Sequence, residues 1–496
     1  MRTNSLFSAC TSLIIGAVFA FSLISCSKSG TNPGAPATMT SFSFLQAANK
    51  NIPVNSAATI SGTDITIFLP PGTVAKGLIA SFGLSGNATV AIGGAAQQSG
   101  MTANDFTQPV TYTIKTPGGT TQNYTVQLIT NIPQIDRKVM AFMMKYNVPG
   151  MSVSITKDNR LVYIKSYGLA DTSSRQPVND SSLFRLASDS KQFTAVAIMR
   201  LLDQKKVRMT DKIFGTGAIL GTAYGTQPYG RGITDITVSD LLHHTGGGWS
   251  ADGNESNGFN DPMFSNLSMN NTQLISWTLN HMPLDTLPNT TFEYSNFGFF
   301  LLARVIEKIT GEPYQQAVQD LVLTPCGITD MKIAGDTKAE RAANEAVYYN
   351  QESQTAYAGL NIHRADGCAG WIASSLDLVK FNTHINQLNP STDLLSANAY
   401  SIMTSTTPAS NGYACGWAVY PYQQGFEHEG GLPGTSSDQA FQTLLMNPNN
   451  KGNYTFGIVI NTRNLSNNYG TDLDNIFWLA QPDIPVWPGY DLFTAY

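Results

Sequence analysis

Residues 184–195 read Phe-Arg-Leu-Ala-Ser-Asp-Ser-Lys-Gln-Phe-Thr-Ala, and within this stretch Ser188 and Lys191 stand three residues apart. Apolar residues recur at helical spacing after Lys191, which predicts an amphipathic helix that opens at Ser188. On a helix, side chains three residues apart lie on one face, so the amine reaches the hydroxyl. A serine hydroxyl is a weak nucleophile and needs such a neighbouring base. The stretch therefore predicts a nucleophile and its base at the start of a buried helix.

Two other Ser-x-x-Lys matches occur in the chain, at Ser25 with Lys28 and at Ser154 with Lys157. Ser25 belongs to a predicted signal segment. Ser154 lies in an alternating run, residues 153–156, that predicts a strand, where residues three apart point to opposite faces. Only Ser188 keeps the geometry that the chemistry requires.

Two further motifs follow in the chain. Tyr294-Ser295-Asn296 precedes an apolar helix, and His428-Glu429-Gly430-Gly431 forms a glycine-rich run on a predicted strand. A second Tyr-x-Asn match at 348–350 lies in a polar stretch, and His244-Thr245-Gly246 comes before Tyr294, which is the wrong order. Glycines on such a strand let its backbone amides approach a bound molecule closely.

These three motifs, in this order, resemble the serine β-lactamase-related family, which includes class C β-lactamases, DD-peptidases, D-aminopeptidases and esterases. The resemblance covers residues 132–496 and implies an α+β fold, in which a mixed antiparallel sheet flanked by helices meets a helical subdomain at a cleft. It also implies an acyl-enzyme formed on Ser188. Lys191 and Tyr294 would share the proton of that hydroxyl, and Asn296 and His428 would complete the catalytic set.

The same resemblance implies how a substrate is held. The backbone amides of Ser188 and Gly431 would stabilise the oxyanion, with Gly430 and Glu429 lining the substrate site. Relatives that hold a β-lactam or D-alanine carboxylate commonly carry Thr or Ser where this chain has Glu429, and one carboxylate repels another unless the side chain turns away. We therefore expect an esterase or a D-amino-acid peptidase-like amidase ahead of a β-lactamase or D-alanyl-D-alanine carboxypeptidase.

Other classes of function have weaker support. The chain lacks the Gly-x-Ser-x-Gly elbow of an α/β-hydrolase, and His428-Glu429 lacks the second His of a His-Glu-x-x-His zinc site. No cofactor and no metal site is predicted. The competing hypothesis is a catalytically inactive cell-surface lipoprotein that binds glycan or peptidoglycan.

The N-terminal part of the chain predicts export. Residues 1–25 have the form of a signal peptide, and Leu23-Ile24-Ser25-Cys26 resembles the bacterial lipobox, which implies a lipid anchor on Cys26. Residues 26–38 form a flexible tether. We expect a cell-envelope lipoprotein that faces the periplasm or is attached to the outer membrane.

Between the tether and the hydrolase-like residues 131–496, residues 39–130 alternate apolar and polar side chains between Pro and Gly turns, which predicts a small β-sandwich. This stretch resembles the immunoglobulin-like modules of Bacteroidetes surface lipoproteins. The resemblance implies a spacer or a carbohydrate binder, and we favour the spacer.

Composition narrows the partners. Charged residues make up 13 % of the chain and the formal net charge is -5, so no basic surplus is available for nucleic acid. The predicted partners are a small-molecule, peptide or ester substrate and a membrane. Three cysteines remain outside the signal segment and Cys26, so either Cys368 and Cys415 form a disulfide or all three are buried thiols.

Overall fold

The computed structural model describes residues 36–250, 261–353, 355–420, 425–442 and 452–496. Cys26 and the predicted signal segment lie outside these residues. Within them, no helix combines the length and the apolar character that a bilayer crossing needs.

The N-terminal region is all-β, as predicted. Alternating residues such as Phe42 and Tyr112 turn inward from two sheets, and their rings meet edge to face at 5.4 Å. The sheets have the strand orders β2-β1-β5-β8 and β3-β4-β10-β9-β6-β7. Their strands are β1 (Met39–Phe44), β2 (Ser56–Ala57), β3 (Thr59–Ser61), β4 (Asp64–Phe68), β5 (Lys76–Leu84), β6 (Thr89–Ile92), β7 (Ala95–Ala96), β8 (Ala103–Asp105), β9 (Val110–Lys115) and β10 (Thr121–Ile129).

The rest of the described chain combines helices with a central antiparallel sheet. The helices are α1 (Pro133–Tyr146), α2 (Ser190–Asp203), α3 (Val238–Leu242), α4 (Asn271–His281), α5 (Asn296–Thr310), α6 (Tyr314–Val318), α7 (Ser375–Thr383), α8 (Ala397–Met403) and α9 (Tyr469–Trp478). The strands are β11 (Gly150–Lys157), β12 (Arg160–Asp171), β13 (Gln176–Pro177), β14 (Phe184–Arg185), β15 (Lys332–Ile333), β16 (Tyr349–Asn350), β17 (Trp371–Ala373), β18 (Ala418–Tyr420), β19 (Gly425–Leu432), β20 (Thr435–Gln442), β21 (Tyr454–Ile460) and β22 (Thr462–Arg463).

The central sheet brings the two ends of this region together, in the order β13-β12-β11-β21-β20-β19-β18 with antiparallel neighbours. Strand β21 shows why both faces are covered. Ile458 belongs to the buried cluster of α1 and α9, whereas its neighbour Val459 belongs to the cluster of α2 and α7. Side chains alternate along a strand, so a continuous apolar run needs helices on both sides. This confirms the predicted α+β arrangement.

A shared apolar cluster joins the N-terminal sheets to the rest of the chain. Val54 and Phe68 are buried with Ile135 of α1 and with Ile484 and Tyr490. The N-terminal region therefore rests against the hydrolase-like region through packed side chains.

Of the two alternatives for the cysteines, the structure shows three buried free thiols and no Cys368–Cys415 disulfide. The Cys368 Sγ lies 3.4 Å from the carbonyl oxygen of Ala365, whereas the Cys415 Sγ lies 3.6 Å from His243 Nε2. The Cys368 and Cys415 thiols thus contact different neighbours and not each other. Burial raises the pKa of the Cys368 thiol to about 12, so it is not a reactive thiolate.

Candidate active site

The segment before Ser188 is held by sheet pairing and then bends sharply. Strand β14 pairs with β17, and Ala187 follows with a φ of 48°, a left-handed conformation that few non-glycine residues adopt. A tight turn over Ala187–Asp189 leads directly into α2. The predicted helix start at Ser188 is therefore two residues early, because this turn precedes the α-helix. Ser188 remains partly exposed between two buried neighbours.

Lys191 lies one turn further on and is fully buried. Its Nζ lies 3.0 Å from the Ser188 Oγ, 2.7 Å from the Asn296 Oδ1 and 3.0 Å from the Cys368 carbonyl oxygen. The amide oxygen and the carbonyl oxygen accept hydrogen bonds and cannot donate them. The Lys191 amine thus donates hydrogen bonds to the Asn296 Oδ1 and to the Cys368 carbonyl oxygen, and its third position faces the Ser188 Oγ.

Tyr294 also reaches the Ser188 hydroxyl. Its OH lies 2.9 Å from the Ser188 Oγ, and Lys191 Nζ stands 4.8 Å from the centre of its ring. His244 packs on the Tyr294 ring at 4.2 Å. The rival His-x-Gly motif that contains His244 therefore supports the tyrosine and supplies no second site.

A buried carboxylate positions the Tyr-x-Asn segment. Ser295 caps α5, and its Oγ accepts a hydrogen bond from Gly298 N at 3.0 Å. Asp261 accepts hydrogen bonds from the Ser295 Oγ at 3.1 Å and from Phe297 N at 3.0 Å. Burial raises the pKa of Asp261 against the lowering effect of these donors. No sequence signal singles out Asp261, because its partners in the Tyr-x-Asn segment lie more than thirty residues away along the chain.

The third motif lies on β19, and Gly430 presses against the nucleophile segment. A Cβ at Gly430 would stand 1.9 Å from the Leu186 carbonyl oxygen and 2.3 Å from the Ser437 Oγ. The first neighbour is a backbone atom, and the Ser437 Oγ is held in place because it donates a hydrogen bond to that same carbonyl oxygen at 2.7 Å. The glycine therefore lets the strand and the nucleophile turn approach each other.

We expect Gly430→Ala to lower the free energy of unfolding by about 3 kcal/mol and to displace Ser188, because overpacking against backbone forces both segments apart. Thermal unfolding and turnover of the purified variant measure the two effects. The matched control is Gly431→Ala, whose Cβ would lie 3.4 Å from Arg463 Cδ, an ordinary contact. Equal unfolding midpoints for the two variants would contradict this account.

His428 is buried beside the site but forms no hydrogen bond with Ser188. Its Nδ1 lies 2.8 Å from the Glu429 carbonyl oxygen, and its Nε2 lies 2.8 Å from the Tyr413 hydroxyl. Burial and the nearby charge of Lys191 lower the pKa of His428 to about 3. A neutral imidazole must then donate from Nδ1 and accept at Nε2. The sequence did not point to Tyr413 as its partner.

Glu429 and Gly431 lie on the other face of β19 and are exposed. The structure does not bring Glu429 into contact with the nucleophile; its carboxylate extends toward Gly470 at the start of α9. Arg463 lies beside Gly431 and forms a two-point ion pair with Glu352, at 2.9 and 2.6 Å. The open side of the strand thus carries a paired cation and an acid.

The second Tyr-x-Asn match has a structural place. The Tyr348 hydroxyl accepts a hydrogen bond from Arg185 N and donates one to Glu345, both at 2.8 Å. Tyr348 is buried, so this stretch is not the polar surface that its composition suggested. It supports β14 ahead of Ser188.

Comparisons with known proteins agree with this geometry. The family model described as "Beta-lactamase" matches residues 135–477, and the model described as "SGBP, N-terminal" matches residues 39–128. Protein flp of Staphylococcus aureus (strain N315) is 26% identical over 352 residues, which cover 68% of this chain and 64% of that protein. The chain thus spans somewhat less than two thirds of this relative's length.

Two further similarities are more local or more distant. A putative D-alanyl-D-alanine carboxypeptidase of Escherichia coli (strain K12) is 29% identical over 210 residues, covering 40% of this chain and 46% of that protein. The structure of D-amino acid amidase from Ochrobactrum anthropi SV3 superposes with a TM-score of 0.56 at 19% identity, covering 71% of this chain and 98% of that one. At that identity the likeness concerns the fold. With its family model matched over most of its length, the chain belongs to the Beta-lactamase family and carries an SGBP-type N-terminal domain.

Proposed function

We propose that this protein is a serine hydrolase that cleaves ester or amide substrates through an acyl-enzyme on Ser188. One observation carries the proposal: the Ser188 Oγ lies 3.0 Å from Lys191 Nζ and 2.9 Å from the Tyr294 hydroxyl. A primary alcohol placed between an amine and a phenol has a path for losing its proton as it attacks a carbonyl.

The reaction has two stages, acylation of Ser188 and release of the acyl group by water. The Ser188 proton passes to the Lys191–Tyr294 pair while an Oγ–carbon bond forms, and the resulting oxyanion accepts hydrogen bonds from the backbone amides of Ser188 and Gly431. The pair then protonates the leaving alcohol or amine as its bond to carbon breaks. Water attacks the acyl group, gives its proton to the pair, and Ser188 regains a proton as the acid leaves.

Asn296 and His428 take different parts in this scheme. Asn296 holds the Lys191 amine at 2.7 Å, which fixes its direction toward the nucleophile. His428, held neutral, forms a wall of the cleft and takes no proton from Ser188. Both roles leave proton transfer to the amine and the phenol.

Charge on the open side of β19 favours one class of substrate. Glu429 is exposed there, and the neighbouring Arg463 is already paired with Glu352. Because Glu429 lies on the face of β19 away from Ser188, its charge would repel a substrate carboxylate through space and not by contact. We therefore place esters and amine-bearing amides, such as D-amino-acid amides, ahead of β-lactams and D-alanyl-D-alanine peptides.

A substrate panel tests the order. We expect the purified protein to hydrolyse a short-chain nitrophenyl ester and a D-amino-acid amide faster than a chromogenic cephalosporin, measured as kcat/KM. Turnover of the cephalosporin alone would reverse the ranking. No turnover of any compound by a folded protein would favour the inactive binding protein.

We propose that the N-terminal part of the chain determines where the protein is located in the cell envelope. We infer that Cys26, which lies outside the described residues, carries a lipid anchor that attaches the protein to the cell envelope, on the periplasmic or outer-membrane side. Incorporation of labelled palmitate by producing cells, lost in Cys26→Ala, tests this attachment. The SGBP match leaves two roles for residues 39–130, a spacer and a glycan binder. We favour the spacer, and retention of the full chain on insoluble peptidoglycan or polysaccharide would favour the binder.

A further inference from the structure

Four carboxyl groups meet behind the strand that lines the cleft. Glu427 and Glu429 share one face of β19, because side chains alternate along a strand. Asp438 of β20 stands directly opposite Glu429 in the antiparallel register. Asp474 reaches the same face from α9, which covers it. The cluster therefore joins three separate elements of the fold.

Three of these acids are packed within touching distance of one another. Carboxylate oxygens of Glu427, Asp438 and Asp474 all lie within 4.8 Å of each other. Burial, and then repulsion from neighbouring carboxylates that include Glu429, raises the pKa of both Glu427 and Asp474. Three like charges in a buried space need a counter-charge or protons.

Asp438 supplies a second, independent observation. Its side chain is 0% exposed, and neither of its carboxylate oxygens has a hydrogen-bond partner. Buried polar atoms nearly always have a hydrogen-bond partner. Two buried carboxylate oxygens without any partner therefore point to a missing ligand. Among the described residues, no Lys, Arg or His lies within ion-pair distance of Glu427, Asp438 or Asp474.

We propose that Glu427, Asp438 and Asp474 bind a divalent cation, and that calcium is the ion that fits. Calcium takes oxygen ligands at about 2.4 Å, so two ligands on opposite sides of one ion are about 4.8 Å apart. Three carboxylates supply up to six oxygens, which suits its flexible coordination. Magnesium usually keeps several waters and takes one or two carboxylates, and zinc prefers nitrogen or sulfur ligands.

The predicted absence of a metal site rested on zinc-type motifs, and this cluster has none of their spacing. Its ligands come from two strands and a helix that meet only in the folded chain. The ion would sit on the face of β19 opposite His428 and Gly430. It would therefore tie β19, β20 and α9 together, and supply no chemistry to Ser188.

Calorimetry and thermal unfolding test the site. We expect the purified protein, stripped with EDTA and dialysed, to bind one Ca²⁺ per chain and to unfold at a temperature that rises with Ca²⁺ concentration, because a ligand of the native state stabilises it by mass action. Mg²⁺ at the same concentration should raise the midpoint less.

Asp438→Asn is the decisive variant. It should lose the Ca²⁺ response, and its unfolding midpoint without metal should exceed that of the stripped wild type, since a neutral amide of the same shape removes one repelling charge. Asp472→Asn is the matched control, because Asp472 lies on α9 with Asp474 but pairs with Lys145 on the outside. It should keep the full response.

Three outcomes would overturn the proposal. These are no calcium heat from folded, stripped wild type; an unchanged Ca²⁺ response in Asp438→Asn; and tighter binding of Mg²⁺ than of Ca²⁺, which would refute the choice of ion. If Asp438→Asn fails to fold, Glu427→Gln takes its place with the same expectations, because Glu427 is 3% exposed and belongs to the same cluster.

Discussion

Ser188→Ala should reduce kcat by roughly a million-fold on every substrate that the wild type hydrolyses, because the variant loses the attacking oxygen. The variant should remain folded, since Ser188 is partly exposed and alanine keeps the backbone. Turnover of a nitrophenyl ester, with intact-protein mass spectrometry after a fluorophosphonate probe, measures both rate and labelling. We expect the wild type to gain one adduct and the variant none.

Ser190→Ala is the matched control for the nucleophile. Ser190 lies two residues along the same segment, but its Oγ accepts a hydrogen bond from Trp371 N at 3.2 Å inside the fold. It should keep its adduct and most of its rate. A labelled, active Ser188→Ala protein would remove this serine from the mechanism.

Lys191→Met should lower kcat by roughly a thousandfold to ten-thousandfold and leave KM little changed, because the amine acts on proton transfer and not on substrate binding. Methionine fills the space of the buried stem. The Asn296 Oδ1 and the Cys368 carbonyl lose their donor, which costs about 1–3 kcal/mol of folding free energy for each atom. Single-turnover acylation of the ester, followed alongside thermal unfolding, separates the catalytic loss from the structural one.

The control for the lysine is Lys380→Met on α7. The Lys380 amine donates a hydrogen bond to the Gly327 carbonyl at 3.0 Å on the protein surface. Its acylation rate should match that of the wild type. A Lys191→Met protein that keeps more than about a tenth of the wild-type rate would assign the base to Tyr294 alone.

The nucleophile and its base could be predicted from sequence because one turn of helix fixes their distance. Tyr294 could be predicted only through its motif, since 106 residues separate it from Ser188. Asp261 and the Cys368 carbonyl could not be predicted. The first acts through tertiary contacts from a distant loop, and the second is a backbone atom that any residue type supplies.

Strand β19 shows the same limit. Alternation places Glu427 and Glu429 on one face, which the sequence does contain. The pairing register with β20 and the position of α9 bring Asp438 and Asp474 to that face, and neither follows from local pattern. The state of the cysteines could not be predicted for a related reason: cysteine count and compartment do not show which thiols face each other.

The apolar cluster that contains Val54, Phe68 and Ile484 holds the N-terminal sheets against the hydrolase-like region. A domain joined to the N-terminal sheets only by a flexible linker would present its cleft in every direction. Here the N-terminal sheets and the hydrolase-like region are packed together, so an attachment at the N-terminal end would also set the orientation of the cleft. Lengthening the predicted tether, residues 26–38, would change how far the cleft can reach. Substitutions in the apolar cluster would change the orientation of the cleft instead.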